Sequence, residues 1–184
     1  MMFGLTIICC VTAAAYGQFF NLGRCPEPHT PFVLDFDRFA GKYYEIERSF
    51  NNWDEVGGKC PTSYYIQIPD NELLVIHSDI SEITNMQSGL IGKATVNGAK
   101  LSIHYHSPIM GDKTRDVWVI DTDHDTFAIL WACTNYGFIH VTYGWTLVKK
   151  SYINRDFSAQ IQAAFKRAKI PLMSMRKVDH TNCP

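Results

Sequence analysis

The chain has 184 residues, 46% of them hydrophobic and 19% charged, with a formal net charge of −1. That balance supports a packed core and excludes an intrinsically disordered chain; with no basic block dense enough to follow a phosphate backbone, it also excludes nucleic acid as a partner. Past the N-terminus no apolar run approaches the ~20 residues that a membrane-spanning helix needs.

The first residues, MMFGLTIICCVTAAAYGQ, run from apolar into small side chains, the pattern of a secretory signal peptide cut near Ala15 or Gly17. Residues 1–17 are read as that signal and residues 18–184 as one mature domain of a secreted, extracellular protein. Cys9 and Cys10 leave with the signal, and Cys25, Cys60, Cys133 and Cys183 remain. An even count in an oxidising compartment reads as two disulfides, which spacing alone can pair in three ways. No thiol is then left over as a nucleophile. No Cys-x-x-Cys or Cys/His zinc spacing occurs either, so no metal site is expected.

From Lys42 to about Val148, β-rich runs alternate with turn signals: residues 42–49, 61–68, 73–79, 89–96, 99–106, 115–121, 126–134 and 138–150. Asn97-Gly98 between two such runs is a strong hairpin signal, because a type I′ turn needs positive φ at both central positions. These runs make eight strands at hairpin spacing with no helix between them, hence an antiparallel, up-and-down sheet. One helix follows at about 155–168, where Phe157, Ile161, Ala164, Phe165 and Ala168 form one apolar stripe. Asn154 is placed to cap its start, Lys166, Arg167 and Lys169 suit its C-terminal end, and Pro171 stops it. A sheet of eight strands has two open edges unless it closes on itself or splits into a sandwich; closure satisfies every edge and fits the pattern, which does not by itself exclude a sandwich. The fold class expected is therefore all-β, an eight-stranded antiparallel barrel with the C-terminal α-helix outside it; a barrel of that size holds packed side chains or one small ligand.

With the strands in place, FDRFAGKYYEIERSF resembles the first signature of the lipocalins, in which Gly-x-Trp opens the first strand. GKCPTSYY, IDTDHDTFAILWACT, YGWTLVKK and the ending VDHTNCP are similar to segments of the apolipoprotein D-like and insect bilin-binding branch, in the same order and over nearly all of the mature chain. The resemblance implies the disulfides Cys25–Cys133 and Cys60–Cys183. Each closes a long loop, for which the chain-entropy model allows up to about 4 to 5 kcal/mol. Among the motif positions, Gly41, Thr122 and Asp123 match. Where the family stacks a tryptophan under an arginine, this chain has Tyr43 and Lys149, and His124 stands where a tyrosine is usual. A cation–π contact survives that exchange, but the planar guanidinium stacking does not.

Strand alternation puts Tyr43, Glu45 and Glu47 on one face, which the resemblance makes the interior, and Tyr44 and Ile46 on the other, under the helix. A carboxylate pair suits hydrolysis. No partner that would orient a substrate accompanies this one, so it is read as a hydrogen-bonded polar floor. The resemblance places Tyr65, Tyr105 and Trp145 along the ligand cavity; alternation adds Leu101, Ile103, Val141, Tyr143 and His77. Ordinary core packing is the competing reading for each aromatic, although Tyr and Trp carry donors that suit a pocket for an apolar ligand with a few polar groups. His104 and His106 share a strand face opposite the apolar residues and are expected to face solvent. No Gly-x-Ser-x-Gly, His-Glu-x-x-His or Asn-x-Ser/Thr motif is present.

These readings converge on a secreted protein that carries or stores a small hydrophobic molecule, with no catalytic residues and no required cofactor. A biliverdin-type tetrapyrrole, a retinoid, a steroid or a fatty acid is the bound species, and the loops NNWDEVGG and SPIMGDKT form the mouth. Two other classes stand beside it: a secreted protein-binding or protective lipid-scavenging module, with room for a cell-surface receptor or peripheral lipid contact, and a lipocalin-type enzyme. The residues specify neither the ligand nor an oligomeric state.

Overall fold

The computed structural model describes residues 20–51, 57–106 and 111–183. The signal segment, Trp53, the greater part of the loop NNWDEVGG and half of the loop SPIMGDKT lie outside the described residues. The described chain packs as two compact units, residues 27–132 with 143–184, and the residues up to 26 with 133–142.

The strands that follow are β2 (Gly41–Ser49), β3 (Gly58–Ile68), β4 (Glu72–Ser81), β5 (Gln87–Asn97), β6 (Lys100–Tyr105), β7 (Lys113–Thr122), β8 (Phe127–Tyr136) and β9 (Ile139–Val148), of which the end of β8 and the start of β9 fall in the smaller unit. Each pairs with its neighbour in sequence, and β9 pairs back onto β2 through Tyr44↔Val148, Glu45↔Leu147 and Arg48↔Trp145. That last pairing closes the eight-stranded antiparallel barrel and decides against a sandwich. The β5–β6 hairpin forms where the sequence places it, but the turn is shifted by one residue: Asn97 pairs with Lys100, so Gly98 and Ala99 are its central residues and only Gly98 takes positive φ, not the type I′ turn on Asn97-Gly98. Between β3 and β4, Asp70 and Asn71 take positive φ. The structure also has a short helix α1 (Phe36–Phe39), capped by the Asp35 side chain on the Arg38 amide.

Two expectations for β2 are corrected. Its pairing with β9 shifts register between Glu45 and Glu47. This β-bulge inserts one residue and inverts the alternation beyond it. Glu45 therefore points inward with Arg48, while Glu47 faces Lys177 of the outer strand β10 (Met175–Lys177). The outer face of β2 is also covered by the C-terminal tail and not by the helix: β10 pairs with β2, Val178 donates to the Ile46 carbonyl, and His180 lies edge-on to Tyr44. The disulfide Cys60–Cys183 holds that tail.

The C-terminal helix α2 (Ser158–Arg167) buries the whole stripe Phe157, Ile161, Ala164, Phe165 and Ala168. Its N-cap is Phe157, which has no side-chain cap, and not Asn154; one residue before it, the Asp156 carboxylate accepts the Ser158 amide and hydroxyl. At the other end Lys169 takes φ +56°, and the amides of Lys169 and Ile170 bond back to Lys166 and Phe165, a Schellman closure made without glycine. An Arg167–Asp121 ion pair fixes the helix beside β7.

In the smaller unit β1 (Asn21–Leu22) pairs with Ile139 and His140, and Cys25 is bonded to Cys133. The Cys25 amide donates to the Asn135 side chain, and the Gly23 amide donates to the Phe138 carbonyl. Val141 lies buried in this unit.

Candidate functional site: the barrel interior

One end of the barrel is filled. Phe39 of α1, Tyr43 of β2 and Tyr65 of β3 meet ring to ring at centroid distances of 5.0 to 5.8 Å. Such tilted and edge contacts contribute about 0.5 to 1.5 kcal/mol each beyond area burial. Tyr43, Tyr65, Leu101 and Leu147 are at most 1% exposed.

Below this floor Lys149 holds its ammonium 3.8 Å from the Tyr43 ring centroid and donates to the Ala40 carbonyl at 3.0 Å. The Tyr43 hydroxyl donates to the Phe39 carbonyl at 2.9 Å. The exchange of tryptophan and arginine for Tyr43 and Lys149 thus retains a cation over a ring and ties both ends to backbone. Burial lowers the Lys149 pKa from its ordinary value and raises that of Tyr43.

The same end is closed by the turn from Thr122 to Phe127. Asp123 accepts the amides of Asp125, Thr126 and Phe127, and Thr122 accepts the His124 amide and donates to the Phe127 carbonyl. Burial works against the Asp123 charge, yet the Thr126 hydroxyl and these amides hold its pKa below the ordinary carboxylate value. His124, in place of tyrosine, accepts the Asp35 amide at 3.3 Å and so joins the turn to the start of α1.

Above the aromatic floor comes a polar layer. His77 lies between the Ser63 hydroxyl, 2.8 Å from Nδ1, and the Tyr105 hydroxyl, 3.0 Å from Nε2. Burial, with the nearby Arg115 charge, lowers the His77 pKa to about 4, so the ring is neutral at physiological pH. Arg48 donates from Nε to Glu45, and both side chains are buried. Arg115 stands 5.4 Å over the Tyr143 ring, and Tyr143 stacks on Trp145 at 6.3 Å. A Cβ on Gly92 would meet Ile103 and the Tyr105 ring at 2.8 Å, so glycine there makes room for that ring.

Burial relaxes away from the floor: Ile103 is 2% exposed, Trp145 7% and Tyr105 9%, while His77 and Tyr143 are only partly buried. Part of this aromatic and polar wall, His77 and Tyr143 above all, is therefore left uncovered by the described residues.

The structure brings Tyr65, His77, Leu101, Ile103, Tyr105, Tyr143 and Trp145 to the inward face, with Leu101 and Ile103 in its filled part. His104 and His106 are exposed on the outer side, next to Asp112. Ser63, Arg48 and Arg115 were not singled out from sequence. Ser63 stands two residues from Tyr65 on an alternating strand, so alternation alone would have found it; Arg48 was hidden by the bulge. A cleft of about 270 Å³ lined by His29, Phe32, Ile120, Asp121 and Arg167 lies beside α2, apart from these residues.

All four described cysteines are bonded, Cys25–Cys133 and Cys60–Cys183, the pairing that the resemblance implies. Disulfides of this kind form in oxidising compartments.

Comparison with known proteins agrees with this architecture. Over 189 residues the chain is 25% identical to apolipoprotein D of Cavia porcellus, covering 100% of this chain and 97% of the relative. Its fold is similar to insecticyanin from the tobacco hornworm Manduca sexta (TM-score 0.76, 20% identity, 90% of this chain and 91% of the other). It is also similar to lobster apocrustacyanin A1 (TM-score 0.68, 19% identity, 90% and 94%). A family model matches residues 40–182, from the α1–β2 junction through the C-terminal tail, and the chain belongs to the lipocalin / cytosolic fatty-acid binding protein family.

Proposed function

We propose that the protein is an extracellular carrier or store for one small hydrophobic molecule held inside the barrel. The observation that supports this most is the partly uncovered wall of Tyr105, Tyr143, Trp145 and His77 above a filled aromatic floor. Burying an apolar ligand against such a wall yields roughly 25 cal/mol per Å² before entropic costs, and the few polar groups orient it. A biliverdin-type tetrapyrrole heads the ligand classes because of the insect bilin-binding branch that the sequence resembles; a retinoid, a steroid or a fatty acid is the alternative.

The reading is of a binding protein and not an enzyme. Glu45 and Glu47 point to opposite faces, Glu45 is paired with Arg48, and each described cysteine is in a disulfide. The test is to titrate the purified protein with biliverdin, retinol and a fatty acid while following tryptophan emission and visible absorbance. Saturable quenching is the expected result, with a red-shifted structured band for biliverdin if the pigment reading holds. No change with any of the three would contradict it.

A second reading, contact with a lipid surface or a receptor protein, is favoured by one feature of the smaller unit. Leu22 and Phe138 are 84% and 81% exposed, and Phe20 and Tyr136 are exposed as well. Exposed aromatics and leucine in one small unit suit such a contact.

A further inference from the structure

The Tyr65 hydroxyl is an anomaly in the interior. Tyr65 is 1% exposed, yet its hydroxyl has no hydrogen-bond partner among the described residues. The Ser63 hydroxyl lies near enough to influence it, but not in the geometry of a formed bond. A buried hydroxyl left unbonded costs free energy, about 1 to 3 kcal/mol by mutational measures, so a partner that enters the barrel would recover it.

The surroundings define that partner. The ring of Tyr65 rests on Phe39 and Tyr43, so it cannot turn away into the floor. Around its hydroxyl stand Tyr105, Tyr43 and Glu45. The charge of Glu45 is met by Arg48, and His77 is engaged by Ser63 on one nitrogen and Tyr105 on the other. Among the described residues the surroundings of the Tyr65 hydroxyl thus consist of already-engaged neighbours, and Arg48, the cation beside Glu45, is committed to that carboxylate. An anion brought to this depth would lose its hydration without meeting an uncommitted positive charge.

Resting on the reading of the barrel as a ligand-binding site, we infer that its cargo enters with an uncharged hydroxyl or carbonyl oxygen leading, and that this oxygen accepts the Tyr65 hydroxyl proton. Burial raises the Tyr65 pKa, so the hydroxyl keeps its proton and acts only as a donor throughout the physiological range. In the opposite orientation a terminal anionic group would lie away from the Tyr65 hydroxyl.

Retinol, retinal and retinoic acid share one apolar body and differ at the terminal group, so they separate the two orientations. The measurement is the Kd of each for the wild-type protein and for Tyr65→Phe, with the thermal midpoint of both proteins without ligand. The wild type is expected to bind retinol and retinal more tightly than retinoate. Tyr65→Phe should weaken retinol and retinal about five- to ten-fold, the usual effect of one hydrogen bond, and change retinoate less than two-fold. Because the hydroxyl has no partner among the described residues, the ligand-free midpoint should stay level or rise, which separates a ligand contact from a structural one. Equal affinities in the two proteins, or a wild-type preference for retinoate, would overturn the inference and leave barrel binding standing. Failure of the wild type to bind any of the three would overturn both.

Discussion

Tyr43, Lys149 and Gly41 show how individual residues set the closed end. Gly41 has φ +121°, and a Cβ on it would come within 2.9 Å of the Lys149 ammonium. Glycine is thus required twice, for backbone conformation and to let the ammonium reach the Ala40 carbonyl. Gly41→Ala should destabilise the protein by about 1 to 3 kcal/mol, read as a drop in urea midpoint at unchanged m-value. His77 gives the pH dependence. Its pKa in the fold is lowered to about 4 from an ordinary 6.5, so its contribution is fully present above pH 6.5. That contribution is lost as pH falls from there to 4, because the unfolded chain takes up the proton first. The loss amounts to about 3 kcal/mol at most. Glu47 has the opposite sign: burial raises its pKa against the pull of Lys177, so it favours the fold at low pH. The difference between wild type and His77→Gln isolates the histidine. Stability measured from pH 7 to 4 should decline less in the variant, and parallel curves would refute the assignment.

At the scale of the element, β2 carries both the clearest sequence signal and the clearest departure from it. Its extent and its glycine start were legible, because β-branched and aromatic residues bounded by Gly and a turn-rich loop specify a strand. The bulge was not. It is a property of the pairing between β2 and β9, and the alternating letters of YEIE carry no mark of one residue stepping out. Its consequence is the buried Glu45–Arg48 pair, which strict alternation would place on opposite faces. Removing one member of a buried pair strands the other, so Glu45→Ala should cost about 3 to 5 kcal/mol. The double replacement Glu45→Leu/Arg48→Met should recover most of that, as a double-mutant comparison of chemical denaturation would show. The outer strands β1 and β10 escaped the sequence for another reason. At two and three residues they carry too little pattern to read; they are held by backbone pairing and flanking disulfides, not by an apolar face.

For the whole molecule, eight hairpin-spaced runs with no intervening helix fit closure but leave a sandwich open; the pairing of β9 with β2 decides for the barrel. The disulfide pairing followed from the likeness of the cysteine segments, and the family match covers the same stretch. The interior was legible as a set of inward residues, Tyr65, His77, Tyr105, Tyr143 and Trp145, but not as layers. Depth in a barrel depends on strand tilt and on which rings meet, as Phe39, Tyr43 and Tyr65 do. The central claim, that the interior receives a ligand, has a built-in reporter. Trp145 lines the inner wall, whereas Trp118 and Trp131 contact each other on alternate positions of β7 and β8, with Lys100 over Trp118. The decisive measurement is ligand-induced tryptophan quenching in Trp145→Phe compared with Trp118→Phe, using whichever of biliverdin, retinol or fatty acid binds the parent protein. Loss of most of the quenching in Trp145→Phe and its retention in Trp118→Phe is the predicted result; the reverse pattern would put the ligand outside the barrel and contradict the account.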